Sequence, residues 1–254
     1  MDFIVNHLFD YFQRSTFTIL LLSETGRPSA DEIAIWDIEL SHRGCRGLFT
    51  ESAYKRMLTM ASLLLATGFS NTLAEEYQER CADVVFYIED SPTLIMAVYA
   101  PTDTARRASF FTAIMEATPA LRYRQHIWGG DWNCVHCPEI DAAHIPATPD
   151  RTPDILETIL NTLQAGDTFR LLYTYRRRFT NTPPTGAGHR LDRIYVSGAF
   201  LDSFSQATIH LSPDVYFSTH VPISASFAMA SGHRRDSNTF RLCRHNLALP
   251  WVQQ

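Results

Sequence analysis

Gly129-Gly130-Asp131-Trp132-Asn133 places a carboxylate two residues from a neutral carboxamide, directly after two residues that lack Cβ atoms. The apolar approach Ile127-Trp128 delivers this group at a strand end. Glycines let backbone or ligand come close, and the acid and amide then offer a proton acceptor beside a hydrogen-bond donor. Read alone, a Gly-Gly-Asp turn is more often a plain strand exit. Four other positions carry related chemistry. Glu24 closes the apolar run Phe17–Ser23, and Tyr99 precedes Ala100-Pro101. Asp192 lies within His189-Arg190-Leu191-Asp192-Arg193, and His220 within Ser218-Thr219-His220-Val221-Pro222. Each has an innocent reading: a strand-end acid in solvent, a half-buried packing tyrosine, a surface acid paired with its flanking arginines, a satisfied histidine at a core edge. Their combination and order favour function.

Taken in chain order, these segments resemble the endonuclease/exonuclease/phosphatase superfamily, most of all the endonuclease domain of non-LTR (LINE-type) retrotransposons and the abasic-site endonucleases. The resemblance spans nearly the whole chain and implies hydrolysis of a phosphodiester. That reaction needs an activated water, positive charge against the non-bridging oxygens and stabilisation of the leaving oxygen. The resemblance makes Glu24 the holder of a divalent cation, Mg²⁺ with Mn²⁺ as the alternative, since such cations favour carboxylate and water ligands. It makes Asp131 the base or water-orienting carboxylate, and Asn133 a donor to that water or to a phosphate oxygen. His220 faces the phosphate, Asp192 orients the ring and favours its charged form, and Tyr99 adds a phenolic donor.

Two departures bear on activity. The family commonly reads Ser-Asp-His where this chain has Ser218-Thr219-His220, and family members begin with an asparagine-bearing strand that has no counterpart before Phe17. A cation left with fewer anionic ligands binds more weakly, and a sheet lacking a strand exposes its neighbour's hydrogen-bonding groups. Three functions therefore stand side by side. The first is a DNA-nicking, metal-dependent endonuclease of retrotransposon origin. The second is a decayed retroelement domain that at most binds nucleic acid. The third is a phosphoesterase acting on small molecules or lipids, because fold does not choose substrate.

The elements that must position these residues read as follows. Phe3–Phe12 has the spacing of a short helix, followed by the strand leading to Glu24. Val84–Ile88 and Thr93–Tyr99 form a hairpin through Glu89-Asp90-Ser91-Pro92. A helix capped by Thr102 or Asp103 follows, with Ala108, Phe111, Ile114 and Met115 on its core face. Thr152 N-caps the next, with Pro153 at its first position, a stripe of Ile155, Ile159 and Leu163, and Gly166 after its last turn. Ala53–Thr67 reads as helix on propensity, where the resemblance implies strand and loop. Hairpins among the helices predict an α/β chain with mixed sheets. The resemblance specifies a four-layer, DNase I-like α/β sandwich, two packed mixed sheets flanked by helices, lacking the first strand. Asp167 and Arg170 match the family's Asp-x-x-Arg beneath the active edge and Phe179-Thr180 its Phe-Thr, both read as scaffold with a DNA-facing rim. Residues 1–232 form this domain, and 233–254, with Phe240–Leu249, are similar to the connector preceding a reverse transcriptase.

Composition bounds the rest. The 254 residues are 45% hydrophobic, enough for one large core. The net charge of −5 argues against binding polyanions by bulk field, so DNA as partner requires a local basic surface. Lys55 is the lone lysine. Arginines cluster at Arg122 and Arg124, at Arg176-Arg177-Arg178, and at Arg190 and Arg193. Arginine's fork suits phosphate, although a GC-rich genome gives the same bias. Five cysteines, no secretory segment and no apolar run of roughly 20 residues indicate an intracellular protein with no membrane partner, nuclear if it acts as a retroelement endonuclease. Cys134-Val135-His136-Cys137 has the inner spacing of a zinc or redox pair, but the remaining cysteines supply no second pair.

Overall fold

The computed structural model describes residues 19–23, 29–42, 45–49, 58–62, 68–69, 80–88, 91–117, 125–145, 150–210, 219–228 and 239–246. In chain order, strand β1 (Ile19–Ser23) precedes helix α1 (Ala30–His42), strands β2 (Cys45–Phe49), β3 (Leu58–Ser62) and β4 (Gly68–Phe69), and the pair β5 (Cys81–Ile88) and β6 (Ser91–Tyr99). Helix α2 (Thr104–Ala117), β7 (Gln125–Asp131), α3 (Pro138–Asp141), α4 (Thr152–Thr162), β8 (Gly166–Asp167) and α5 (Thr168–Leu172) follow. The chain continues through β9 (Asp192–Val196), α6 (Ala199–Ser203), β10 (Phe204–Ile209), β11 (Ile223–Ala228) and β12 (Thr239–Asn246). Two six-stranded mixed sheets result, ordered β10-β11-β12-β1-β3-β2 and β4-β5-β6-β7-β9-β8.

Both faces of the second sheet are covered, which explains why its strands read as unbroken apolar runs. On β6, Ile95, Ala97 and Tyr99 join Ile127, Ile194 and Val196 in the core shared with Ile19, Leu21, Ile223, Ala225 and Phe227 of the first sheet. The alternate residues Met96 and Val98 pack with Trp128 and Tyr195 against Phe110, Phe111 and Ile114 of α2 and Leu156 and Ile159 of α4. The chain is thus an α/β sandwich of two sheets with flanking helices. Among the described residues no helix is long and apolar enough to cross a membrane.

Local signals explain several elements. Ser29 and Glu32 form a reciprocal capping box on α1: the Ser29 amide donates to Glu32 and the Glu32 amide to Ser29. Asp103 caps α2 by accepting from the Arg106 amide. β5 and β6 form the expected hairpin, with Ser91 and Pro92 already paired as strand.

Other expectations are corrected. Leu58–Ser62, inside the segment expected to be helical, is strand β3, antiparallel to both β1 and β2. Two neighbours supplying backbone hydrogen bonds outweigh helix propensity of a few tenths of a kcal/mol per residue. Met115 is 39% exposed, and Phe110 takes the core place beside Phe111. On α4, Leu156, Ile159 and Leu160 are the buried stripe, with Ile155 and Leu163 at its margin. Thr152 lies inside that helix rather than capping it. Its amide and hydroxyl both donate to Asp150. The left-handed residue past the end is Gln164, φ 50°, while Gly166 is already in β8. The Phe3–Phe12 helix lies outside the described residues.

The slot expected to be empty beside β1 is filled. β12 pairs parallel with β1 and antiparallel with β11, so part of the segment expected as a connector tail is a strand inside the sheet. Burying the backbone groups of β1 and β11 between sheet and helix requires partners, and β12 provides them.

Gly130 is required by close approach. A Cβ there would stand 2.0 Å from the Val98 carbonyl oxygen on the paired strand β6. Backbone of a central strand cannot step aside, so Gly130→Ala is expected to cost on the order of 1–3 kcal/mol or more. The urea midpoint reads this, and an unchanged midpoint contradicts it.

Candidate active site

Three strands of the second sheet bring their functional ends into one row. β6 and β7 run parallel with Tyr99 opposite Asp131, and β9 runs antiparallel to β7 with Asp192 opposite Asp131. Register partners share a face, and Tyr99 belongs to the core between the sheets. The row therefore faces the first sheet at its edge. From that sheet His220, three residues before β11, reaches across, its Nδ1 donating to Asp192 Oδ2 at 2.7 Å. Asp131, Asp192 and His220 offer ligand atoms that all lie within 4.8 Å of one another, and both carboxylates are buried.

The surroundings fix these groups. Asp131 Oδ1 accepts from the Asn133 amide at 2.9 Å, a tight turn that holds Asn133 at φ 46°, a region asparagine tolerates. Asn133 Nδ2 donates to the Ala100 carbonyl, and the Ala100 amide to the Asp131 carbonyl, locking the ends of β6 and β7 together. The buried hydroxyl of Thr180 accepts from the Leu191 and Asp192 amides. The Thr180 carbonyl accepts from the Val221 amide, and Asn181 bridges to His189 and His220. Residues 180–182 thus tie the beginning of β9 to the His220 segment of the other sheet. A carboxylate can only accept, so the His220 contact places a proton on Nδ1 and turns Nε2 to the remaining side.

Beneath this edge, where the resemblance sets Asp167 and Arg170, lies an ion network that also takes in Arg190 and Arg193, the pair expected as part of a basic surface. Asp141, fully buried, accepts from Arg190 Nε at 2.7 Å, from Arg193 and from Arg170. Asp167 accepts from Arg190 at 2.6 Å and caps α5 through the Phe169 and Arg170 amides. Arg190 and Arg193 are 1% exposed. They are internal counter-ions and cannot reach DNA. Strand alternation turns Arg193 away from Asp192, so Asp192 pairs with His220 instead of its flanking cations. The one signal for Asp141 in the sequence is the surplus of arginines in Arg190–Arg193, which buried needs an acid partner.

Burial alone would raise the Asp141 and Asp167 carboxyls, but the Arg193 and Arg190 guanidiniums hold Asp141, and Arg190 above all holds Asp167, below the usual carboxylate range. Folded values below unfolded ones contribute stability that is complete above about pH 4 and lost as pH falls through the lowered values. The urea midpoint is expected to drop on acidification below about pH 4, and less steeply in Asp141→Asn. Equal slopes would contradict this.

The remaining candidates fall out as follows. Glu24 lies outside the described residues, one place beyond the end of β1. Thr219 is exposed, its hydroxyl accepting from Asn181 Nδ2. Cys134 and Cys137 join no cluster of metal-ligating groups among the described residues. Burial pushes the Cys134 thiol up to about 11, so it is not a thiolate at neutral pH. Arg176, Arg177 and Arg178 are exposed, whereas Arg122 and Arg124 lie outside the described residues.

No protein-family model and no curated protein sequence matches the chain. Solved structures do. A 3'-5' exonuclease (NExo) from Neisseria meningitidis superposes with a TM-score of 0.72 at 16% identity, over 88% of this chain and 94% of that one. An AP endonuclease from Archaeoglobus fulgidus gives 0.68 at 16% identity, over 88% and 93%. The chain has the DNase I-like fold. The AP endonuclease LMAP from Leishmania major aligns as well, with a TM-score of 0.67 at 16% identity over 84% of this chain and 79% of that one. In the DNase I-like fold of this chain, the Asp131, Asp192 and His220 group sits at the edge where the two sheets meet.

Proposed function

We propose that the chain is a metal-dependent phosphodiester hydrolase that nicks DNA, of retrotransposon origin. The observation that carries this is the convergence of Asp131, Asp192 and His220 from both sheets within 4.8 Å. Structural neighbours described as AP endonucleases and as an exonuclease support a DNA substrate. So do the three consecutive exposed arginines at 176–178, Arg176 over the Tyr173 ring and Arg177 over Phe179.

Buried carboxylate oxygens beside an imidazole suit a hard divalent cation, Mg²⁺ or Mn²⁺. Glu24 would hold it, with the Asp131 and Asp192 oxygens as neighbouring donors. When bound, the cation supplies positive charge against the phosphate oxygens. Asp131 accepts the proton of the attacking water, its orientation set by the Asn133 amide. Asp192 fixes the His220 ring, whose Nε2 side donates to a phosphate oxygen. Tyr99, 4% exposed in the same row, adds its hydroxyl, and Asn133 uses one amide hydrogen on Ala100 and offers the other outward.

The test is nicking of supercoiled plasmid with Mg²⁺ or Mn²⁺, beside an Asp131→Ala control. Cleavage that is equal in both, or absent from the unaltered protein, removes the proposal. One observation favours a second reading, a decayed domain that binds nucleic acid without cutting it. Thr219 puts a neutral hydroxyl beside Asn181 where the resemblance has an acid. Thr219→Asp then restores cleavage to an otherwise inert chain. Hydrolysis of small phosphoesters with DNA left intact would instead reverse the substrate assignment.

A further inference from the structure

Tyr175 is 84% exposed, the most exposed large apolar side chain among the described residues. It belongs to Tyr173-Thr174-Tyr175-Arg176-Arg177-Arg178-Phe179, which interleaves three aromatics with three arginines and holds no acid, in a chain of net charge −5. Packing does not explain this ring, because a tyrosine face left in water forgoes the gain of its burial.

The backbone beneath it is held from inside. Arg170 Nη1 donates to the carbonyls of Tyr173, Thr174 and Arg176, and Nη2 donates to the buried Asp141. One guanidinium thus gathers three carbonyls of the segment and ties them to the ion network below. The side chains above are ordered as well: Arg176 lies 5.1 Å over the Tyr173 ring and Arg177 5.4 Å over that of Phe179. Arg177 also donates to the Ala142 and Ala143 carbonyls. A loop of solvent-facing side chains fixed in this way is a preorganised surface, which binds at a lower entropic cost than a mobile one.

This surface is in line with the catalytic edge. Ala142, where Arg177 is anchored, bridges to His189, His189 to Asn181, and Asn181 to His220. Neighbouring extended segments stand about 5 Å apart, so three steps set the anchor roughly 15 Å from His220. That is the reach of about four nucleotides of a stacked strand.

We propose that residues 173–178 form a docking surface for an unpaired DNA strand running off the catalytic edge, Tyr175 stacking on a base and Arg176 and Arg178 meeting the phosphates. That this strand leads to a scissile phosphate rests on the function proposed above. Charge and shape select the occupant. Three cations in a segment without an acid match a polyanion. In a duplex each base is already stacked on its neighbours, so a protruding ring finds its partner on an unpaired base, whatever the sequence. Arg177, its fork partly engaged by the two carbonyls, braces the surface.

Fluorescence anisotropy on the full chain, with divalent cations chelated so that nothing is cut, compares a blunt duplex with the same duplex carrying a single-stranded tail of about 4–6 nucleotides. The tail is expected to tighten binding about 5–100-fold, the worth of one stacked base; Tyr175→Ala erases that gain and Tyr175→Trp keeps it. Blunt-duplex affinity is expected to stay unchanged in both variants, which also shows that they fold. Arg176→Ala and Arg178→Ala are each expected to lower the salt slope by about 0.7–0.9. A tailed duplex bound no tighter than the blunt one, or a gain that survives in Tyr175→Ala, overturns the proposal. Tyr175-dependent dimers in sedimentation, with no gain from the tail, would give the face to a second copy of the chain instead. A chain that never nicks plasmid yet shows the Tyr175-dependent gain refutes the nuclease reading and keeps this surface. A chain that nicks in an Asp131-dependent manner but ignores the tail refutes only the present inference.

Discussion

Asp131→Ala is expected to lower metal-dependent cleavage of DNA by about 10²–10⁴-fold, the range for loss of a positioned general base. The carboxylate stands at the end of β7, 2% exposed, in the row with Tyr99 and Asp192. Its backbone is pinned by Ala100 and its Oδ1 by the Asn133 amide. Little else in the core depends on the side chain, and its removal relieves repulsion with Asp192. Stability is therefore expected to hold or rise while activity falls, the trade expected of a site that gathers like charges. Asp131→Asn sharpens the test, because the amide oxygen preserves the turn to Asn133 but accepts no proton. Single-turnover nicking by the three proteins reads this. Cleavage by Asp131→Asn at the unaltered rate assigns Asp131 to the turn and the base to another group.

Asp141→Ala is expected to remove on the order of 3–5 kcal/mol of stability, the cost of breaking a buried ion pair from one side. Arg170, Arg190 and Arg193 all donate to this one carboxylate, and the last two are 1% exposed. Asp167 compensates Arg190 alone at hydrogen-bond distance, its separation from Arg193 being 3.8 Å. Against a typical total of about 5–15 kcal/mol, this loss brings the protein close to unfolding. Asp141→Asn keeps an acceptor oxygen and is expected to lose less. Urea midpoints for both variants measure the difference, and a loss under about 1 kcal/mol for alanine would show that solvent reaches these guanidiniums. Catalysis is expected to suffer too, since the Arg190 amide donates to the Asp141 carbonyl two residues before Asp192.

Much of the scaffold was legible because period and punctuation are local properties. The apolar runs of β6 and β7, the β5–β6 hairpin and the acid at position 103 that caps α2 depend on neighbours a few residues away. The residue types at Tyr99, Asp131, Asn133, Asp192 and His220, in that order, were visible with the resemblance that gave them roles. Helix propensity over Ala53–Thr67 misled because β1 and β2 together supply what a helix would have supplied internally.

What the chain alone determined is therefore the inventory and the strands that carry it: an acid at the end of one, an acid at the start of another, a histidine ahead of a third. Tertiary structure decided their company. Asp192 and His220 are 28 residues apart, and Arg190 and Asp141 are 49 apart, so no local spacing records either pairing. The same applies to β12, whose pairing with β1 and β11 joins segments far apart in the chain. Charge-rich stretches such as Arg190–Arg193 look solvated in one dimension because their counter-ions arrive from elsewhere in the chain. Burial, which depends on every element at once, turned those arginines inward and left Asp192 to the imidazole.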